Sequence, residues 1–361
     1  MATMAGRSGS SISRDGEKSS EEEEEEEEEE QSSKPWFVVP LLVCAVLAVS
    51  SAGAVTKLMV GAAPVANAGW RLQVTSLILL PGFIWQWLSL PIPDRQKVLL
   101  SVNLTIIGFS GIALALHFGL WVWSLEHTSL SHSLLFVSTP PIIVAAVACG
   151  IGQPLSKEEM LGVVVGMGGV VIVAAGSCTE HDSEVTLLGD LASFTAAAAF
   201  VVYISAGRHL RVWMPLYVYA FPVTAVAALL LSLAGQVLGG SSGQISAPFG
   251  WLRTDYLLPV LFLAVGPGFV GHTGLNAVLK YSSSLIVAMA VTLEPPIGTV
   301  IGWILHVTPL PGIWTCIGGF VLLLGTMWLN YVSEQQQKVS KENLPLDDGG
   351  VHRPLHSDCS V

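Results

Sequence analysis

The sequence predicts an all-α integral membrane protein of ten transmembrane helices, arranged as two inverted five-helix repeats, and three observations carry that expectation. Hydrophobic residues make up 52% of the 361 residues and charged residues only 12%, with a mean hydropathy of +0.62. That balance excludes an ordinary soluble globule and a nucleic-acid binder. Ten apolar runs follow one another, each near the roughly 20 helical residues that a bilayer core of about 30 Å requires. The last five runs repeat motifs of the first five in the same order.

The spans are expected at Trp36–Val60, Pro64–Leu90, Val98–Ser124, Ser129–Ile151, Glu159–Ser177, Thr186–Ala206, Trp213–Leu238, Asp255–Leu279, Ser283–His306 and Pro311–Tyr331. Connections between them are short, so sequential helices should be antiparallel neighbours. The longest interior connection, Gln236–Thr254, holds Gly239, Gly240, Ser241, Ser242 and Gly243 and reads as flexible. This divides the chain into an acidic tail over 1–34, a first repeat over 36–177, a second over 186–331 and a hydrophilic tail over 332–361. Both tails read as disordered, because neither can bury enough apolar area to fold.

Charge is concentrated in those tails. The net charge is −11, yet residues 1–34 carry 12 acids and 4 bases, and residues 332–361 carry 5 acids and 3 bases. Ten consecutive glutamates, Glu21–Glu30, repel one another and stay solvated. Between the spans, Arg95, Lys97, Lys157, Arg208, Arg211 and Lys280 fall on one side and Arg253 alone on the other. Basic residues resist translocation, so both termini are expected in the cytosol. The acidic connection Cys178–Glu184 then faces outward. The Asn103-Leu104-Thr105 sequon sits at the inner end of its span, out of reach of glycosylation. Five scattered cysteines give neither a disulfide framework nor a zinc site.

The repeat is the most informative feature. His117-Phe118-Gly119-Leu120 in span 3 aligns with His272-Thr273-Gly274-Leu275 in span 8, and Pro140-Pro141-Ile142 in span 4 with Pro295-Pro296-Ile297 in span 9. Leu161-Gly162 and Gly169 in span 5 align with Ile317-Gly318 and Gly325 in span 10. An odd number of spans per copy turns the second copy over in the membrane. Secondary transporters use this arrangement to build two gates around one central site.

Trp70-Arg71 in span 2, the Leu125–Ser129 turn, the mid-helix prolines of span 4 and Gly189-Asp190 opening the second half resemble the drug/metabolite transporter superfamily, in its EamA-like branch. The resemblance runs from Trp36 to Tyr331. It implies a transporter rather than an enzyme, without a cofactor, with a central cavity lined by spans 1 to 4 and 6 to 9. Spans 5 and 10 would brace the bundle or form a homodimer. Gly152-Gln153 and His306-Val307 stand where such proteins usually carry Gly-Glu, a departure that touches the subfamily and not the fold.

Several residues are candidates for substrate binding or coupling. Glu294 lies about 16 Å deep in span 9 by helical rise. A carboxylate there either faces a wet cavity, coupling substrate or protons, or bonds into backbone opened by the neighbouring prolines. Pro140, Pro141, Pro295 and Pro296 remove backbone donors and should kink spans 4 and 9, marking a gate. His117 and His272 share a depth, with Trp121 and Asn276 one turn on, and each imidazole either binds substrate or makes an interhelical hydrogen bond. Arg71 offers a planar fork to anions or an ion pair to Glu294. Lys57 either attracts substrate or snorkels to the interface. Asp190 reads as a helix cap. The tryptophans Trp85, Trp87, Trp213, Trp251, Trp303 and Trp328 read as interfacial anchors. The glycines of spans 5 and 10 are packing devices.

No catalytic residue and no metal ligand set are expected. The rival readings are a membrane enzyme built on His117, His272 and Glu294, and a non-transporting scaffold or receptor acting through its tails. The expected partners are a small polar or amphipathic metabolite, the lipid bilayer, and protons or a counter-substrate as the coupled species, with no nucleic acid.

Overall fold

The computed structural model of the chain describes residues 36–152, 155–177, 185–211, 213–239, 244–278 and 290–342. The glutamate run, the Cys178–Glu184 connection, the glycine-serine cluster from Gly240, Lys280 and the first half of span 9 lie outside the described residues. Among those described, eight helices are long and apolar enough to cross a bilayer. They correspond to spans 1 to 5, 7, 8 and 10. Span 6 is an unbroken helix, Leu187–Arg211, whose apolar stretch Leu187–Tyr203 is shorter than the others. Span 9 is described from Ala290 onward.

The helices are α1 (Val38–Ser50) and α2 (Ala52–Lys57) in span 1, α3 (Pro64–Ser89), a short α4 (Ile92–Val98), α5 (Ser101–Ser124), α6 (Leu130–Val137) and α7 (Pro140–Gly150) in span 4, and α8 (Lys157–Ser177). The second half holds α9 (Leu187–Arg211), α10 (Leu216–Gly239), α11 (Thr254–Leu263), a π-helical segment Ala264–Thr273, α12 (Gly274–Val278), α13 (Glu294–Ile304) and α14 (Ile313–Glu342). Local chemistry starts several of them. Pro64 opens α3 at a position where a helix lacks nothing by losing a donor. Ser156 and Glu159 form a reciprocal capping box at the start of α8, with bonds of 2.9 and 3.1 Å.

Spans 4 and 9 are both interrupted just before their proline pairs. In span 4 the helix stops at Val137 and restarts at Pro140. Pro140 cannot donate to the Phe136 carbonyl, and Thr139 takes that acceptor instead through its backbone N–H (3.3 Å) and its hydroxyl (2.7 Å). In span 9, Thr292 and Leu293 form a turn before α13 begins at Glu294.

Packing partners exchange under an interchange of the two halves. α8 packs on α14, α3 on α10, and α6 on α13, each pairing corresponding spans. α9 packs on α5 as α1 packs on the π segment, and α9 on α6 as α13 on α1. The α8–α14 pair depends on glycine: a side chain at Gly169 would meet the Gly318 carbonyl at 2.7 Å and the backbone of Leu322, and one at Gly325 would meet the backbone of Gly166. These two helices share a small core of their own with Leu135, Phe136 and Ile142, separate from the large core around Trp70, Leu125, Leu130 and Tyr256.

Candidate functional site

Arg71 sits two turns into α3 and is 2% exposed. Its guanidinium carbon lies 4.6 Å from the centre of the Phe118 ring and 5.9 Å from that of Trp121. The rings face the cation with their electron-rich π systems. Neither Nε nor Nη1 has a hydrogen-bond partner. Arg71 lines a cavity of about 60 Å³ whose walls come from both halves: Leu72, Thr75 and Leu79 of α3, Leu114 and Phe118 of α5, Phe200 and Tyr203 of α9, Leu216, Ala220 and Thr224 of α10, and Gly268, His272 and Thr273 of the π segment. Gly268 permits this closeness, since a side chain there would meet the Thr75 hydroxyl at 2.6 Å.

Among the described residues the lining comes from spans 2, 3, 6, 7 and 8, and none of it from span 1, span 4 or the described part of span 9. From Arg71 the cavity runs along α3 toward Leu79, and thus toward the end of the bundle that carries Arg95, Lys97 and Arg211. At that end the Lys97 ammonium lies 4.1 Å from the Trp213 ring centre.

The other candidates distribute around this centre. His117 donates from Nδ1 to the Ala196 carbonyl at 2.9 Å, an interhelical bond, and packs 4.9 Å from Phe200 behind the cavity wall. His272 is in the lining and stands edge-on to Phe118 at 5.9 Å. Trp121 is 4% exposed and backs the guanidinium. Glu294 is the first residue of α13, close enough for its charge to act on Arg71, yet no hydrogen bond or ion pair joins them. Nor does Glu294 bond into the backbone around Pro295 and Pro296. It occupies the place that Thr139 holds before Pro140 and Pro141 in the first half, and an ionised carboxylate has no proton with which to satisfy a freed carbonyl. Asn276 lies on α12, its side chain outside those described. Lys57 ends α2 away from the cavity lining, where its charge acts on Glu126.

At the end of the bundle opposite Arg211 a strap lies against α3 that the sequence reading missed. The connection after α10 was expected to be flexible, but its described part, Gln244 to Arg253, is tied down along its length. Ile245 forms a two-way backbone bridge with Gly61 and Ala63 (2.9 and 3.0 Å). Trp70 Nε1 donates to the Ala247 carbonyl and Gln73 Nε2 to the Pro248 carbonyl, both at 2.9 Å. Trp251, read as an interfacial anchor, donates to Gln73 Oε1 at 2.8 Å and so pins the strap. Glu126 at this end receives a bond from Gln244. Partial desolvation pushes its carboxyl above the usual range, against the effects of that bond and of His127 and Lys57.

Beside the strap lies a buried polar network. Asp190 is 2% exposed and accepts hydrogen bonds from Thr128 (2.6 Å) and from His132 Nδ1 (3.0 Å), while His132 Nε2 meets the Thr315 hydroxyl at 2.9 Å. Asp190 was read as the helix cap, but the Thr186 hydroxyl takes that place by accepting from the Gly189 N–H at 3.1 Å, and Asp190 instead joins spans 4, 6 and 10. His132 carried no signal in the sequence because its partners are up to 183 residues away. Gly189 lets this happen, since a side chain there would strike the His127 carbonyl.

Residues 36–175, which supply α1 to α7 and most of α8, match the EamA-like transporter family, a branch of the drug/metabolite transporter superfamily. With eight helices long and apolar enough to cross a bilayer among the described residues, this match supports reading the chain as a multi-pass membrane protein. A protein solved by crystallography shares 16% identity with a TM-score of 0.54, covering 83% of this chain and 98% of its own. That likeness carries the fold past the EamA-matched segment into the second half. No curated protein matches the chain.

Proposed function

We propose that the chain is a secondary active transporter or exchanger of a small polar or amphipathic organic metabolite, working by alternating access between two inverted five-helix repeats. The observation that carries this reading is the cavity at Arg71, walled by both halves and reaching toward the basic end. The interchange of packing partners between halves supports the inverted repeat, and α9 and α13 join the eight longer helices to make the ten-span count. The basic end is then cytosolic, with both termini on that side, and the repeats span 36–177 and 186–331.

In this mechanism the half-helices α6, α7 and α13 rearrange about Pro140, Pro141, Pro295 and Pro296 while α8 and α14 brace the bundle. Glu294 senses whether Arg71 is engaged, through charge, and so couples cargo to protons or to a counter-substrate. Purified protein in proteoliposomes, exposed to a pooled extract of small metabolites, tests the function. Accumulation of at least one solute above that in protein-free vesicles is expected by mass spectrometry of the lumen. Equal contents in both vesicle populations overturn the reading.

A further inference from the structure

Resting on that transporter reading, we infer that the cargo is a short-chain aliphatic monocarboxylate, its carboxylate docking on Arg71 and its carbon chain lying against the apolar wall. A guanidinium that is 2% exposed, with Nε and Nη1 lacking any acceptor, is in a costly state unless a ligand completes it. Phe118 and Trp121 hold the cation in place without using its in-plane donors. The group that best fits such a planar, charged donor is a carboxylate. Glu294 does not fill this role, since no bond joins it to Arg71 and it lies outside the lining.

The rest of the wall sets what else the anion carries. Among the described residues, Leu72, Leu79, Leu114, Leu216 and Ala220 give the cavity an apolar side, while Thr75, Tyr203 and Thr224 add hydroxyls and His272 an imidazole. A phosphate or a dicarboxylate would bring a second negative charge to a wall whose one permanent cation, among those residues, is Arg71. A hydrated inorganic anion would shed water against leucine. The size sets the chain length: about 60 Å³ is well below the roughly 150 Å³ cavity that takes benzene, so a chain of a few carbons fits and an aromatic ring does not.

The test uses the full chain in lipid nanodiscs, with propionate, its neutral isostere propionamide and the cation propylamine as probes, read by thermal shift over a concentration series. Propionate should raise the melting temperature in a saturable manner, and the other two should not. Arg71→Gln should weaken propionate binding about tenfold or more, in line with the loss of a charge-assisted bond. Ala220→Phe fills the cavity and leaves Arg71 in place, so it should abolish the propionate shift even where the arginine variant folds poorly. Equal shifts from propionate and propionamide, a preference for propylamine, no shift from any probe, or an unchanged propionate shift in Ala220→Phe would each overturn the inference. The two readings fail separately. Uptake of a neutral or cationic solute in proteoliposomes sinks the monocarboxylate and leaves the transporter, whereas propionate binding without any flux does the reverse.

Discussion

Arg71 and Glu294 illustrate how one charge can be held ready by another without being consumed by it. An arginine bonded to a glutamate would be a structural pair, expensive to break and of no use to a cargo. Here no hydrogen bond or ion pair joins the two among the described residues, and Nε and Nη1 of Arg71 are left without an acceptor. Replacing Glu294 with Gln keeps its size and removes its charge, so the variant should fold as the wild type does and lose flux at least tenfold in proteoliposomes. Wild-type flux would remove Glu294 from the mechanism. Asp190 belongs to the opposite class, a buried carboxylate with every neighbour committed. Asp190→Asn should destabilise the protein by about 1–3 kcal/mol, because His132 and Thr128 lose a charged acceptor. The check is thermal melting, with the loss relieved when Thr128 and His132 are also made apolar.

At the scale of elements, the breaks in spans 4 and 9 were legible from the prolines alone, because a missing donor is a local fact. What fills the gap was not. Thr139 repairs the first break from within its own helix, whereas Glu294 stands at the equivalent place in the second. The pairing of α8 with α14 was also readable, since glycines at helical spacing permit backbones to touch. Gly169→Val should cost about 1–3 kcal/mol in stability by forcing these helices apart, measurable as a lower melting temperature. The strap was misread, because a loop rich in glycine and serine gives no sign that Trp70 and Gln73 will seize the stretch beyond it. Trp251→Phe deletes the donor to Gln73 and keeps the ring, so amide exchange over residues 244–253 should accelerate while exchange in α3 stays unchanged. Unaltered exchange in the strap would mean that Trp251 does not pin it.

For the whole molecule, the correspondence of packing partners between the halves and the difference between the two ends of the bundle belong together. A pair of related halves can close either end, and in this state the cavity reaches toward the basic end while the strap is tied to α3 at the other. The proposed scheme assigns no step to the acidic N-terminal tail. Deleting residues 1–34 should leave flux in proteoliposomes within about twofold of wild type, since a solvated charge block is screened within about 10 Å at ordinary salt. A severe loss of flux in the purified, folded deletion variant would assign the tail a role in transport itself.

Membrane residence, most span positions, the repeated motifs and the two helix breaks were determined by the sequence by itself, because hydropathy, spacing and the absent proline donor act over a few consecutive residues. Tertiary structure alone decided that Arg71 is stacked with Nε and Nη1 unbonded, that His117 is spent on a carbonyl while His272 faces the cavity, that Lys57 lies outside the cavity lining, and that a distant loop is tied to α3. Those outcomes depend on contacts such as that between Trp70 and Ala247, 177 residues apart, and no local pattern encodes which polar groups will meet once the helices pack.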